Sequence, residues 1–167
     1  MKDLHGKPGH LIRRLQQIAV ALFLAETKDF DITPVQYAAL IAIRENRDLD
    51  ATRLSSAIAF DRSTLGSVLK RLEAKGWIER LGSDKDERIK VLRLTRKGAQ
   101  LLNIVEPRVR KCQRRILAPL PSADRARFMR MLSRLVHLNN DFSRAPLRAA
   151  TRMEPKVRKS SKGRRRL

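Results

Sequence analysis

Apolar residues recur at helical intervals along most of the chain, and the pattern breaks most clearly between residues 77 and 94. The spacing predicts a first long helix over about Pro8–Lys28, with Leu11, Leu15, Ile18 and Leu22 along one side. A second helix begins at a capping box, with Thr33 at the N-cap, Pro34 at N1 and Gln36 at N3, followed by Tyr37, Leu40, Ile41 and Ile43. Asp50 can cap a short helix over about Ala51–Ile58, whose apolar stripe is Leu54, Ala57 and Ile58. Ala59-Phe60-Asp61 then turns the chain, and Asp61 caps a helix over about Arg62–Lys75. Gly76 sits where a left-handed C′ residue belongs. Trp77–Leu81 and Ile89–Leu94 are β-capable runs, joined by a Gly82–Arg88 link too charged to bury. Thr95 caps a long helix to about Ala118 with Leu102, Val105, Val109, Cys112 and Ile116 as a seam suited to pairing with another helix. Pro107 is expected to kink it. After Pro119-Leu120-Pro121, a last helix from Ser122 carries Phe128, Met131, Leu132, Leu135, Leu138 and Phe142.

The central part of this series has the form of a winged helix-turn-helix. Leu65, Val68, Leu69 and Leu72 give the helix at 62–75 one buried face. The opposite face presents Ser63, Gly66, Ser67 and Lys70, flanked by Arg62, Thr64 and Arg71. Small residues with long cations on an exposed helix suit close entry into a DNA major groove. In the hairpin that follows, Lys85, Arg88 and Lys90 are placed to reach phosphates or a minor groove. Asp86 can hold the Arg88 guanidinium through a charge-assisted pair. The fold class expected is mainly α with a small β-wing: a winged helix-turn-helix at 31–95, with N- and C-terminal dimerisation helices at 1–30 and 96–144. A two-fold dimer places two recognition helices roughly 34–36 Å apart, one DNA turn.

Several stretches together resemble the MarR (multiple antibiotic resistance regulator) family. They are Thr33-Pro34-Val35-Gln36-Tyr37, Asp61-Arg62-Ser63-Thr64, Arg71-Leu72-Glu73-Ala74-Lys75-Gly76, Asp86-x-Arg88 and Leu94-Thr95-x-Lys97-Gly98. The resemblance runs from about Gly9 to Phe142. It implies a homodimeric transcription regulator, usually a repressor, that binds a pseudo-palindrome in double-stranded DNA and often releases it on binding a small molecule. It also implies that Arg88 is the wing arginine and Asp86 its partner. At the wing tip the chain departs from the family, carrying Lys85 for the common Arg and Ser83 for the usual Asp. A lysine cannot reproduce the guanidinium fork. Effectors in the family tend to be small aromatic or phenolic compounds, often acids, lodged between the DNA-binding lobe and the dimer helices. His10, Arg14 and Gln17 share a face of the first helix that can point toward that crevice, where an arginine and a histidine can clamp a carboxylate.

Charge sharpens the expectation of a polyanionic partner. The 167 residues carry a formal net charge of +21. From Arg144 onward ten Lys and Arg stand against Glu154 alone, so about +9 belongs to that end of the chain. Residues 145–167 lack apolar periodicity and are expected to be a disordered basic tail that draws the protein to DNA nonspecifically. A charge-driven architectural DNA- or RNA-binding protein without sequence preference is therefore the competing reading. Aromatics at 4% argue against a stacking platform for single strands. Cys112 is alone, which excludes an intramolecular disulfide and suits a core or interface position. The longest apolar run, Ile18–Ala25, is too short to span a bilayer, so a cytoplasmic, nucleoid-associated protein is expected. His5, His10 and His137 are dispersed and no phosphate-cradling Gly-rich loop follows a strand, so no catalytic site, metal site or cofactor is expected.

Overall fold

Side-chain caps decide where most of the helices start. The computed structural model describes the backbone of residues 2–83 and 86–149, and the side chains of residues 3–82 and 90–149. A single turn, α1 (Lys2–His5), precedes α2 (Pro8–Glu26) and α3 (Pro34–Glu45). The predicted capping box opens α3: the Gln36 amide donates to Thr33 Oγ1 at 3.3 Å and the Thr33 amide to Gln36 Oε1 at 3.0 Å. Asp50 accepts from the Arg53 amide at 2.8 Å to start α4 (Ala51–Ala57), and Asp61 from the Thr64 amide at 3.3 Å to start α5 (Arg62–Ala74). Thr95 caps α6 (Arg96–Leu117) through the Gly98 amide at 3.0 Å, and α7 spans Ser122–Leu138.

Both helices of the helix-turn-helix end in Schellman motifs. At the end of α5, Gly76 has φ +68° and its amide donates to Glu73 O, while the Trp77 amide donates to Leu72 O. At the end of α4 the left-handed position falls on Ala59, φ +49°, with Phe60 bonded back to Ser55 O. Strands β1 (Ile78–Ser83) and β2 (Asp86–Leu94) pair antiparallel from Ile78↔Leu94 to Gly82↔Lys90, with a register shift between Gly82 and Ser83. Both strands thus run farther into the charged link than the sequence pattern suggests. Solvated side chains do not prevent pairing where only the backbone must be satisfied. A third segment joins them, because the Leu92 amide donates to Leu49 O at 2.8 Å and Asp50 bridges to Val91.

The core is continuous from the helix-turn-helix to α6. Leu40, Leu49, Leu54, Leu65, Leu69, Leu72, Leu92, Leu102 and Val105 are fully buried, and Phe23, Val109 and Cys112 extend the cluster between α2 and α6. The seam predicted on α6 is therefore covered within the chain, with Cys112 a core residue. One helix runs through Pro107, which is exposed. The stripe predicted on α2 divides along its length: Leu11 and Ile18 are exposed, whereas Leu22 is half-buried against the core and its neighbour Phe23 is buried in it. No residue of α7 is buried, and Met131, Leu135 and Leu138 stand in solvent.

Glu26 is a charge that the helix pattern gives no reason to expect inside. It is 8% exposed at the end of α2 and pairs with Arg115 at 2.6 Å and Lys111 at 3.1 Å, both on α6. The Arg115 hydrogen bond, then that of Lys111, holds its carboxyl below the ordinary value. Its unfolded value is about 4.3, so the stability it contributes is complete above that pH and is lost as pH falls through the lower folded value. The denaturation midpoint is expected to drop less between pH 7 and pH 3 in Glu26→Gln than in the parent. Superimposable pH profiles for the two proteins would show that the pair does not stabilise the α2–α6 contact.

The basic segment expected to be disordered from 145 begins with bonded residues. The Leu147 amide donates to Asn140 Oδ1 at 2.8 Å and the Arg148 amide to Ser56 O at 3.0 Å. The rest of that segment, 150–167, lies outside the described residues. No helix among the described residues is long and apolar enough to cross a membrane.

Candidate nucleic-acid interface

Helix α5 divides into two faces. Leu65, Val68, Leu69 and Leu72 are buried against the core, whereas Arg62, Ser63, Thr64, Ser67, Lys70 and Arg71 are all exposed. Near its start the hydroxyls turn back onto the helix. Ser63 and Thr64 both donate to Asp61 Oδ2, the first through a short contact and the second at 3.3 Å. Those bonds, with Ser63 the larger cause, hold the Asp61 carboxyl below its usual value and keep the cap ionised. Ser67 Oγ donates to Thr64 O at 2.9 Å, which fixes its rotamer on the outer face. A Cβ added at Gly66 would meet nothing within 4 Å, so no packing inside the protein requires a glycine there. An exposed mid-helix glycine costs about 1 kcal/mol against alanine. A glycine at this position leaves room for the close approach of a partner surface.

Interactions outside that face set the direction in which α5 points. Glu73 pairs with Arg80 of β1 at 2.8 Å, tying the helix to the wing. Lys75, after the last turn, pairs with Asp31 at 2.7 Å and lies over the Trp77 ring at 4.5 Å. Asp48, before α4, pairs with Arg93 of β2 at 3.1 Å. The three ion pairs join residues that the linear pattern does not connect. Of the wing residues, Lys90 is exposed opposite Gly82. Lys85 and the side chains of Asp86 and Arg88 lie outside the described residues.

The residues expected to meet an effector are brought together only in part. Arg14 donates to Gln17 Oε1 at 3.3 Å on an exposed part of α2. The His10 ring instead lies 5.2 Å from that of His5. Beside α2, Tyr37 is half-buried, with its ring 6.0 Å from that of Phe23. Desolvation, then the Glu106 carboxylate, pushes its hydroxyl up, so it stays protonated at neutral pH. Among the described residues no group of three His, Cys, Asp or Glu is placed to hold a metal ion.

A capped exposed helix, a strand pair fixed to it and a third short pairing segment define a winged helix-turn-helix protein of the kind that regulates transcription. Comparison with known proteins gives the family. Residues 32–90 match the model of the MarR family. The chain is 26% identical over 134 residues to the HTH-type transcriptional repressor NicR of Pseudomonas putida, covering 80% of this chain and 85% of that one. It is 31% identical to the PcaV transcriptional regulator of Streptomyces coelicolor, solved in complex with its natural ligand; the TM-score is 0.71, over 80% of this chain and 94% of that one. Similarity to a mutant of Escherichia coli MarR, solved with operator DNA, is 26% in sequence with a TM-score of 0.72, over 77% and 92%. The chain belongs to the MarR family, and it is a transcriptional repressor of that type rather than an enzyme.

Proposed function

We propose that two copies of the chain bind a pseudo-palindromic operator in double-stranded DNA, each laying α5 in a major groove with its wing beside the backbone. The observation that carries this reading is the outer face of α5, where Gly66 leaves open space between exposed Ser63, Ser67, Lys70 and Arg71. Arg62 stands near the backbone at the start of the helix. Lys85, Arg88 and Lys90 are the wing contacts, with Asp86 orienting Arg88. MarR solved on its operator supports the same use of the fold here. Dimerisation uses the apolar side chains left in solvent, Leu11, Ile12 and Ile18 on α2 and Met131, Leu135 and Leu138 on α7. So many large apolar groups on two helices mark an interaction surface. A small aromatic or phenolic acid, held on the α2 side by Arg14 and Gln17 with His10 nearby, releases the DNA. PcaV, solved with its natural ligand, supports a ligand response. Release requires that the effector favour a dimer geometry in which the two α5 helices no longer match the half-site spacing. The protein then acts in the cytoplasm, at the nucleoid.

Selection of genomic DNA fragments by the purified protein at near-physiological salt tests the reading. Recovery of a short pseudo-palindrome is expected, and Gly66→Leu should lose it because the larger side chain holds the helix off the groove floor. Equal recovery of unrelated fragments by both proteins would support the charge-driven binder and end the operator-binding reading.

A further inference from the structure

Helices α6 and α7 are joined to the winged helix-turn-helix in different ways. On α6, the Thr95 cap bonds Gly76 O at 2.7 Å, and farther along Glu106 pairs with Arg44 of α3 at 3.1 Å. Helix α7 is tied to the same lobe by the loop that follows it. After α7 a 3-10 turn, Asn140–Phe142, starts a loop that Asn140 closes from both sides. Its Oδ1 accepts the Leu147 amide at 2.8 Å, and its Nδ2 donates to Leu147 O at 3.2 Å. Ser143 Oγ accepts the Ala145 amide at 3.2 Å, and Ala145 and Pro146 are half-buried. The Arg148 amide then donates to Ser56 O at 3.0 Å in the last turn of α4. Beside it, Ser55 Oγ donates to Phe60 O at 2.7 Å and Ser55 O accepts the Phe60 amide at 3.0 Å. A run of hydrogen bonds therefore leads from the end of α7, through α4, to the turn that starts α5.

The first end of α7 is fixed at its turn, where Arg125 Nε donates to Leu120 O at 3.0 Å and Nη2 to Ala118 O at 3.3 Å. No residue of α7 is buried, so packing along its length restrains it little. A helix held at one end can swing about that end, whereas one held at both ends cannot. The 17 residues of α7 make a lever of about 25 Å at about 1.5 Å each. A swing of about 10° moves the far end of such a lever by about 4 Å, close to the rise of one base pair, about 3.4 Å. In a dimer whose subunits meet through α7, that swing becomes an error in the separation of the two α5 helices. We propose that Asn140 is a positioning residue for operator binding: it closes loop 140–147, holds Arg148 on α4 and so fixes the half-site spacing that the dimer accepts. Asn140 does not touch DNA in this arrangement and acts through the Arg148 amide. The inference rests on the operator-binding reading above and adds the element that sets its spacing.

Binding of the full chain to a selected operator, and to versions with one base pair added or removed between the half-sites, tests it. The parent is expected to prefer the selected spacing. Asn140→Leu keeps the side chain's size and removes both its donor and its acceptor. It should lower the ratio of affinities between selected and altered spacing about tenfold, the scale of coupling between distant sites, and leave affinity for an isolated half-site unchanged. Arg148→Pro, which removes the amide donor, should do the same, whereas Arg148→Ala keeps the donor and should keep the parent's ratio. A merely structural role for Asn140 would weaken binding at every spacing alike and leave the ratio where it was. A parental ratio in both Asn140→Leu and Arg148→Pro would therefore overturn the proposal and leave the operator-binding reading intact. Sedimentation of these variants as monomers would also overturn it, since the loop would then serve the interface and not the spacing. A parent that selects no pseudo-palindrome, or binds all spacings equally, would overturn both.

Discussion

Ser67→Glu is expected to lower affinity for the selected operator by at least about a hundredfold and to leave the fold as stable as before. Ser67 is exposed in the middle of the outer face of α5, one residue beyond the open space at Gly66. A glutamate there brings a negative charge toward the phosphates and desolvates it in the groove. A single good base contact contributes about 1–3 kcal/mol, and repulsion from the backbone adds to its loss. Two operator half-sites double the effect in a dimer. The folded protein loses little, since Ser67 Oγ bonds only to Thr64 O one turn back. Glutamate also forms helix at least as readily as serine. Equilibrium binding at fixed salt, with a denaturation curve of each protein, separates the two quantities. If the variant binds its operator within a few-fold of the parent, α5 does not present this face to DNA.

Much of this arrangement can be read from the chain because local chemistry sets it. The caps at Thr33, Asp50, Asp61 and Thr95 each bond one amide three residues ahead, and each is legible as a side chain preceding an apolar repeat. The two faces of α5 follow from 3.6-residue periodicity, and Gly76 from the left-handed backbone that a Schellman turn needs. What cannot be read depends on partners distant in sequence. The seam on α6 predicts a neighbouring helix but does not say that α2 of the same chain supplies it. Leu11 and Ile18 have the same local spacing as buried residues and are nonetheless exposed, because no element among the described residues covers them. Glu26 sits among apolar neighbours for the sake of two cations on a helix far along the chain. The Glu73–Arg80 and Asp48–Arg93 pairs, which aim α5 and hold the wing, have no signature beyond unlike charges. Arg14 and Gln17 meet as their i, i+3 spacing allows, but His10, one turn earlier, has a ring neighbour in His5.

Gly98→Ala is expected to destabilise the protein by roughly 3 kcal/mol, the upper part of the range for inserting one methyl group into a packed site. Gly98 lies in the first turn of α6, where Thr95 accepts its amide. A Cβ at this position would stand 2.1 Å from Trp77 O, 2.9 Å from the Trp77 carbonyl carbon and 2.9 Å from Leu94 Cδ1. Two of those three atoms are backbone and cannot swing away. Trp77 O is itself bound by the Thr95 amide at 3.1 Å, and Thr95 Oγ1 donates to Gly76 O at 2.7 Å. The methyl group must therefore push α6 away from the segment that joins α5 to the wing. Helix propensity alone favours alanine over glycine by up to about 1 kcal/mol, so the two effects have opposite signs and the measurement decides between them. Gly66→Ala supplies the control, being the same exchange within a helix but into open space, and should raise stability. For a chain of this size about 3 kcal/mol corresponds to a fall of roughly 6–12 °C in the melting temperature. A melting temperature for Gly98→Ala equal to or above that of the parent would mean that the α6 junction yields easily. Rigid coupling between α6 and the winged helix-turn-helix, which the proposed release of DNA requires, would then have to pass through the α2–α6 contact instead.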